Sequence, residues 1–289
     1  MGLISHKVGD VSATLIIMAA GRARRYGGLK PLAPVGLQGE AVIDFIAGDA
    51  VVGGFTKIVV VINPTTGPEI QAHIESNWPS HVDTSFAVQE QARGTVDAVL
   101  AARQQIDEKL PFGIANADDL YGADAMAHLG AHLTSKSNNC LIGFRLDKAG
   151  VGADPVTRGI CASSDGLLTS IIERRQVQFH DGEFISHDGI EPRQLSPSAA
   201  VSMNLWGFQK SMWGHLDAAM REARESATEA EVLLPDLVGR LIQSQREVFR
   251  IIPVESPCIG VTHPSDLPLV QGYVADLVAA GLRPAQPFA

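Results

Sequence analysis

The chain has 289 residues, 45% of them apolar and 19% charged, a balance that supports a packed core and excludes a disordered chain. A formal net charge of −9 excludes a broad basic face for a nucleic-acid backbone, so phosphate must meet a few placed cations, backbone N–H groups or a metal ion. Three well-separated cysteines, Cys140, Cys161 and Cys258, fit neither a disulfide scaffold nor a zinc cluster and point to a reduced, cytoplasmic protein.

Residues 1–12 read as a polar extension. The apolar run 14–20, TLIIMAA, is far shorter than the ~20 residues of a membrane span and reads as a strand covered on both faces, so no membrane partner is expected. Glycines and cations break it at 21–28. A helix is predicted over 39–53, a buried strand over 57–63 and a helix over 68–78. A short strand at 84–88, a helix at 94–106 and a strand at 112–115 follow. This alternation is the pattern of a mostly parallel sheet with crossover helices. After Leu120 the pattern changes to strands at 137–146, 159–162, 167–178 and 199–208, some joined by Gly-containing turns such as Ser164–Asp165–Gly166. The stretch 179–197 is turn-rich and is expected to be a mobile loop. Helices return at 210–225, 229–242 and 264–280, with a strand at 247–254. The last helix could dock on its own core or on a second copy of the chain. One domain is expected, with a nucleotide-binding half over 13–125 and an acceptor-binding half over 126–289.

Five stretches carry candidate chemistry. In 15–36, LIIMAAGRARRYGGLKPLAPVG, Gly21 closes a buried strand and lets backbone N–H groups turn onto a phosphate, while Arg25 and Lys30 supply charge. The spacing fits no Walker loop, and Ala23 removes the dinucleotide fingerprint. In Gln89-x4-Gly94-Thr95-x2-Ala98 a side-chain amide can read a base edge and Gly-Thr can open a helix close to a ligand. Asn116–Gly122, NADDLYG, puts two carboxylates at the carboxyl end of a strand, where open α/β sheets bind ligands and where Mg²⁺ could sit on one or two carboxylates. Gly159, then Asp165–Gly166, then Glu173–Arg174 form a fourth set. The fifth is AVSMNLWGF at 200–208, with Asn204, followed by Glu231. Read without any comparison, each also fits an ordinary turn, helix cap or solvated strand face.

The run AAG-x-x-x-R-Y-G-G-L-K-P-L-x-P-V-G resembles the signature loop of the nucleotidyltransferases that activate sugar 1-phosphates. The resemblance implies a Rossmann-like three-layer α/β fold with a mixed, mostly parallel central sheet. It also implies the reaction NTP + sugar 1-phosphate → NDP-sugar + pyrophosphate, dependent on Mg²⁺, with an NTP and a phosphorylated small molecule as partners. On that reading Ala20 and Gly21 line the nucleoside, Arg25 and Lys30 neutralise the triphosphate, and Gln89, Gly94 and Thr95 meet the base. Asp118 holds the metal, with Asp119 behind it or capping the next helix. Gly159 and Glu173 hold sugar hydroxyls, Arg174 grips the sugar phosphate, and Asn204 touches the metal or the sugar. The chain departs from the family in Ala23, in a short Arg-to-Lys spacing, in Arg175 for proline, and in Phe208 where several members have a second metal-binding Asp. The loop's short spacing is also similar to that of the molybdenum-cofactor nucleotidyltransferases. A non-sugar acceptor (cyclitol phosphate, phosphocholine-like alcohol phosphate or molybdopterin) and a catalytically silent nucleotide-binding homologue are the two other readings.

Overall fold

A computed structural model describes residues 13–21, 27–226, 230–261 and 263–289. The extension at 1–12 and the Arg22–Tyr26 part of the first loop, with Ala23 and Arg25, lie outside the described residues.

In chain order the elements are β1 (Ala13–Met18), α1 (Val42–Val52), β2 (Phe55–Ile62), α2 (Gly67–Asn77), β3 (Thr84–Val88), α3 (Thr95–Ala101), β4 (Phe112–Asn116), β5 (Asp119–Leu120) and α4 (Ala123–Ser135). There follow β6 (Asn139–Arg145), β7 (Val156–Ser164), β8 (Leu167–His180), β9 (Glu183–Ser186), β10 (Gln194–Leu195), β11 (Ala200–Phe208), α5 (Met212–Glu225), α6 (Leu234–Gln243), β12 (Phe249–Pro253), β13 (Ile259–Gly260) and α7 (Leu267–Ala279). Among the described residues an 11-stranded sheet runs β10-β9-β8-β12-β6-β11-β4-β1-β2-β3, with β7 pairing both β11 and β8. β4, β1, β2 and β3 are parallel, and β11 runs antiparallel between β4 and β6. The sheet is therefore mixed, as expected.

Strand periodicity splits the apolar runs between two layers. Leu15 and Ile17 of β1 pack with Phe45, Ile46 and Met126 of α1 and α4 on one face. Ile16, between them, packs with Val99, Trp213 and Leu237 of α3, α5 and α6 on the other. That double coverage is why β1 and β2 read as nearly unbroken apolar stretches. The end of the chain closes over α1. The Phe288 ring lies 5.6 Å from that of Trp78, and the Arg283 guanidinium sits 4.4 Å over the Phe45 ring and 3.0 Å from the buried carboxylate of Asp49.

Several boundaries move. The helix predicted at 39–53 starts at Val42, because Gly39 takes φ +93° and Pro34 bridges Ala41 ahead of it. The one at 94–106 stops at Ala101 and continues as a 3-10 turn, Arg103–Gln105. The one at 229–242 starts at Leu234, with Pro235 in its first turn. The chief correction is at 179–197, which is not a loose loop. β9 continues a hairpin with β8 and β10 pairs β9. The turn between β9 and β10 is tied down by Arg174, which is 3% exposed. Its guanidinium donates to both carboxylate oxygens of Asp188, at 2.9 and 3.1 Å, and to the carbonyls of Ile190 and Pro192. No helix among the described residues is long and apolar enough to cross a membrane.

Candidate active site

Met18 at the end of β1 pairs with Val61 of β2 and Asn116 of β4, so the segments after these three parallel strands emerge at one carboxyl edge. Ligands of open α/β sheets gather at such an edge. The Asn63 side chain fixes the first segment, its amide donating to the Ala20 carbonyl at 3.2 Å and to the Thr66 hydroxyl at 2.7 Å. Ala20, Gly21, Gln89, Gly94, Thr95 and Asp118 line a cavity of about 680 Å³, and an adjoining one of about 660 Å³ shares Ala20, Gly21 and Gln89 with Asn63 and Thr66. Asp118 also lines a cavity of about 370 Å³ on its other side, with Asn116, Asp119, Arg158, Asn204 and His263. Asp118 thus stands in the partition between a larger and a smaller compartment.

Lys30, delivered by the 3-10 turn Lys30–Leu32, places Nζ 3.3 Å from the Asp118 carboxylate, and both side chains remain partly exposed, at 19% and 32%. Asp119 points elsewhere. It is buried, accepts the Asn116 amide at 2.8 Å, and is pushed up to about 7 first by burial and then by the neighbouring Asp118 charge. β13 pairs antiparallel with β5, setting Gly260 opposite Asp119. A Cβ at Gly260 would collide with an Asp119 oxygen, so any side chain there would displace that carboxylate. Tyr121 accepts the Asn116 backbone N–H and donates to the Met203 carbonyl, both at 2.9 Å, which locks the acidic stretch to β11.

The Gln89–Ala98 turn is equally constrained. Gly94 takes φ +102°, and a Cβ there would meet the Val232 carbonyl at 2.4 Å, so the turn is glycine-dependent twice over. Thr95 turns its hydroxyl to the start of α6, accepting the Leu234 N–H at 2.8 Å, so this side chain braces the cavity wall. Glu231 lines the same cavity.

Three predicted residues are placed otherwise than expected. Arg174 is committed to Asp188 and two carbonyls, and is absent from the cavity walls. Its cross-strand neighbour on β7, Arg158, carries the cation of the smaller cavity. That guanidinium donates to the Ala149 carbonyl at 2.7 and 3.0 Å and to that of Thr157 at 2.9 Å, and burial holds its pKa below the ordinary arginine value. Glu173 and Gly159 also lie outside these walls. Glu173 is half-buried, its carboxyl pushed up by burial and by the Asp236 charge on α6, and Gly159 pairs with Ser202 inside the sheet. Phe208 pairs with Phe112 at the start of β4, four residues or about 13 Å from Asn116, so it sits at the wrong end of the sheet to stand in a ligand position. Asn204 does face the site. It takes φ +58° where the β11–β6 register slips between Ser202 and Trp206. Its Oδ1 accepts the Trp206 indole N–H at 3.2 Å, which leaves the Nδ2 donor for the cavity.

Residues 14–149 match the family model described as nucleotidyl transferase. Bifunctional protein GlmU of Rhodopseudomonas palustris is similar in two strains. One is 30% identical over 164 residues and the other 30% over 168, each alignment covering 55% of this chain and 33% of the relative. The same-named protein of Nitrobacter hamburgensis is 28% identical over 168 residues, covering 56% and 34%. The chain spans about a third of the length of these relatives. The matched segment holds Lys30, the Gln89–Gly94 turn and both adjacent carboxylates, so it is in the part of the chain with these residues that the similarity to nucleotidyl transferases lies.

Proposed function

We propose that the protein transfers a nucleotidyl group from an NTP to a sugar 1-phosphate, releasing pyrophosphate. The observation that carries the proposal is the position of Asp118, shared by two unequal cavities and 3.3 Å from the Lys30 ammonium. A nucleotide suits the larger pair of compartments, a phosphorylated acceptor the smaller, and the transferred phosphorus would lie at the partition. The acceptor phosphate oxygen would attack the α-phosphorus in line, so that catalysis rests on positioning and charge neutralisation. Lys30 would stabilise negative charge on the triphosphate. Arg158 takes over the acceptor-side charge that the sequence assigned to Arg174, and the Asn204 Nδ2 would donate to an acceptor oxygen.

Asp118 fits the Mg²⁺ expected for such a reaction. That ion commonly takes one or two carboxylates and completes its shell with water and substrate phosphates, and the Asp118 carboxylate is open to both cavities. Asp119 is the poorer donor, buried and bonded to Asn116. When bound, Mg²⁺ would neutralise phosphate charge and polarise the α-phosphate.

The test is pyrophosphate release measured over NTPs and phosphorylated acceptors with and without Mg²⁺. Release with a sugar 1-phosphate and Mg²⁺ is expected, and none with any pair would overturn the proposal. A phosphorylated non-sugar acceptor is the second reading, favoured by the withdrawal of Glu173 and Arg174 from the smaller cavity. It predicts release with alcohol or cyclitol phosphates and not with sugar 1-phosphates.

A further inference from the structure

The segment 150–154, GVGAD, leads into β7, and all five of its residues line the smaller cavity. None of them lines the larger one, whereas Asp118 lines both. The loop therefore borders the part of the smaller cavity away from the partition. Its carbonyls turn outward. The Gly152 carbonyl accepts the Phe179 N–H and the Ala153 carbonyl accepts the Gln178 side-chain amide, each at 2.7 Å. Both donors belong to β8, which contributes no residue to the cavity wall. The two peptide units are trans, and in a trans unit the N–H points opposite to the carbonyl. The Ala153 and Asp154 N–H groups thus point away from β8, side by side, onto the cavity. Neither has an acceptor among the described residues. Adjacent N–H groups left open in this way make a concavity of positive partial charge, suited to an anion. Arg158 adds a full charge to the same wall. Among the described residues its guanidinium donates only to main-chain carbonyls, so no carboxylate neutralises it by contact.

We propose that the Ala153–Asp154 turn is a second anion site, and that the acceptor carries, besides the phosphate that reacts, a further oxyanion: a carboxylate or a second phosphate. The proposal rests on the nucleotidyl-transfer reading and names its acceptor class. The reacting phosphate belongs at the partition, where Asp118 borders both cavities. The loop borders one cavity alone, so the anion it takes is a different group of the same molecule. An oxyanion can accept from both N–H groups at once and meet the Arg158 charge, and such charge-assisted bonds are about twice as strong as neutral ones. A hydroxyl in that place would leave the guanidinium uncompensated. The loop is also set before any ligand arrives, since β8 already holds two of its carbonyls, which lowers the cost of ordering it on binding.

The experiment measures pyrophosphate release by the full chain with acceptors matched in pairs, without and with the second anion. Glucose 1-phosphate is set against glucuronic acid 1-phosphate and glucose 1,6-bisphosphate, and inositol 1-phosphate against inositol 1,4-bisphosphate. KM for a doubly substituted acceptor is expected to be about tenfold or more below that of its partner. The carboxylate and bisphosphate arms tell which oxyanion the site takes. Ala153→Pro deletes one of the two N–H groups and should shrink the ratio of KM values about fivefold. Gln178→Ala, outside the cavity, frees the Ala153 carbonyl and should shrink the ratio too, which keeps the test open if the proline variant melts early. Asp154→Asn keeps both N–H groups and should preserve the ratio. A native KM no lower for the doubly substituted acceptors overturns the proposal and leaves nucleotidyl transfer standing. So does a folded Ala153→Pro protein whose paired KM values rise by one common factor, the mark of a merely structural loop. No release with any acceptor overturns the transfer reading itself, and this proposal with it.

Discussion

Lys30 and Asp118 form a partly exposed ion pair, and exposed pairs contribute on the order of 0–1 kcal/mol to stability. Removing Lys30 should therefore leave the melting temperature within a degree or two and act on turnover instead. Lys30→Ala is expected to lower kcat roughly 10²–10³-fold, the scale seen when one preorganised charge is removed from a transition state. Unchanged turnover in pyrophosphate release would take Lys30 out of the mechanism. At this scale the sequence was legible where chemistry and position coincide in a short stretch. Asp118 closes an apolar strand, and Gln89 and Gly94 frame a turn. It was illegible where a partner lies far along the chain. Arg174 carries the right charge for an acceptor phosphate, and only the fold reveals that Asp188 has claimed it. Arg158 looks like any strand arginine until β7 and β8 set it against the smaller cavity.

At the scale of elements, the β8–β9–β10 arm turns on the Arg174–Asp188 pair. Polar, glycine-rich sequence at 179–197 reads as a loop because its order comes from one buried ion pair rather than from apolar periodicity. The Arg174 guanidinium holds the Asp188 carboxyl well below the usual aspartate range, aided by the Ile190 and Arg175 backbone N–H groups. A depressed pKa stabilises the fold fully above the unfolded value of about 3.9 and loses that contribution as the pH falls below it. Asp188→Asn should therefore cost about 3–5 kcal/mol at pH 7, because Arg174 stays buried without its counter-charge. The cost should shrink toward pH 3. Melting curves across that range decide the matter, and a pH-independent difference would show that the carboxylate's charge is not what holds the arm. Helix ends were misplaced for a related reason: Gly39, Pro235 and the break after Ala101 are set by local bridges and turns that hydrophobic spacing does not register.

For the whole molecule, the three-layer architecture was legible because strand–helix alternation and apolar runs follow from the sheet's double coverage. The closure of the chain's end over α1 was not, since neither Arg283 nor Phe288 stands in a periodic pattern. Burial pushes Asp49 up to about 6 despite Arg283, and one of its oxygens has no partner among the described residues. A raised carboxyl binds its proton more tightly in the fold than in the unfolded chain, so its contribution declines as the pH rises from about 4 through 6. Arg283→Ala should thus be more damaging at pH 7 than at pH 5, by up to about 1.4 kcal/mol, the linkage of one proton over the single pH unit between 6 and 7. Equal losses at the two values would remove Asp49 from the account.

That closure bears on synthesis. α1 and Trp78 are made early, yet Phe45, Asp49 and Trp78 receive their last neighbours from residues 283–288, more than 200 positions downstream. Contacts of such long sequence separation form late and slow folding. A ribosome that has translated every residue lining the two compartments, Leu269 being the last, still holds a nascent chain whose first helical layer is unsealed. The first helical layer to be made is completed only by residues 283–288.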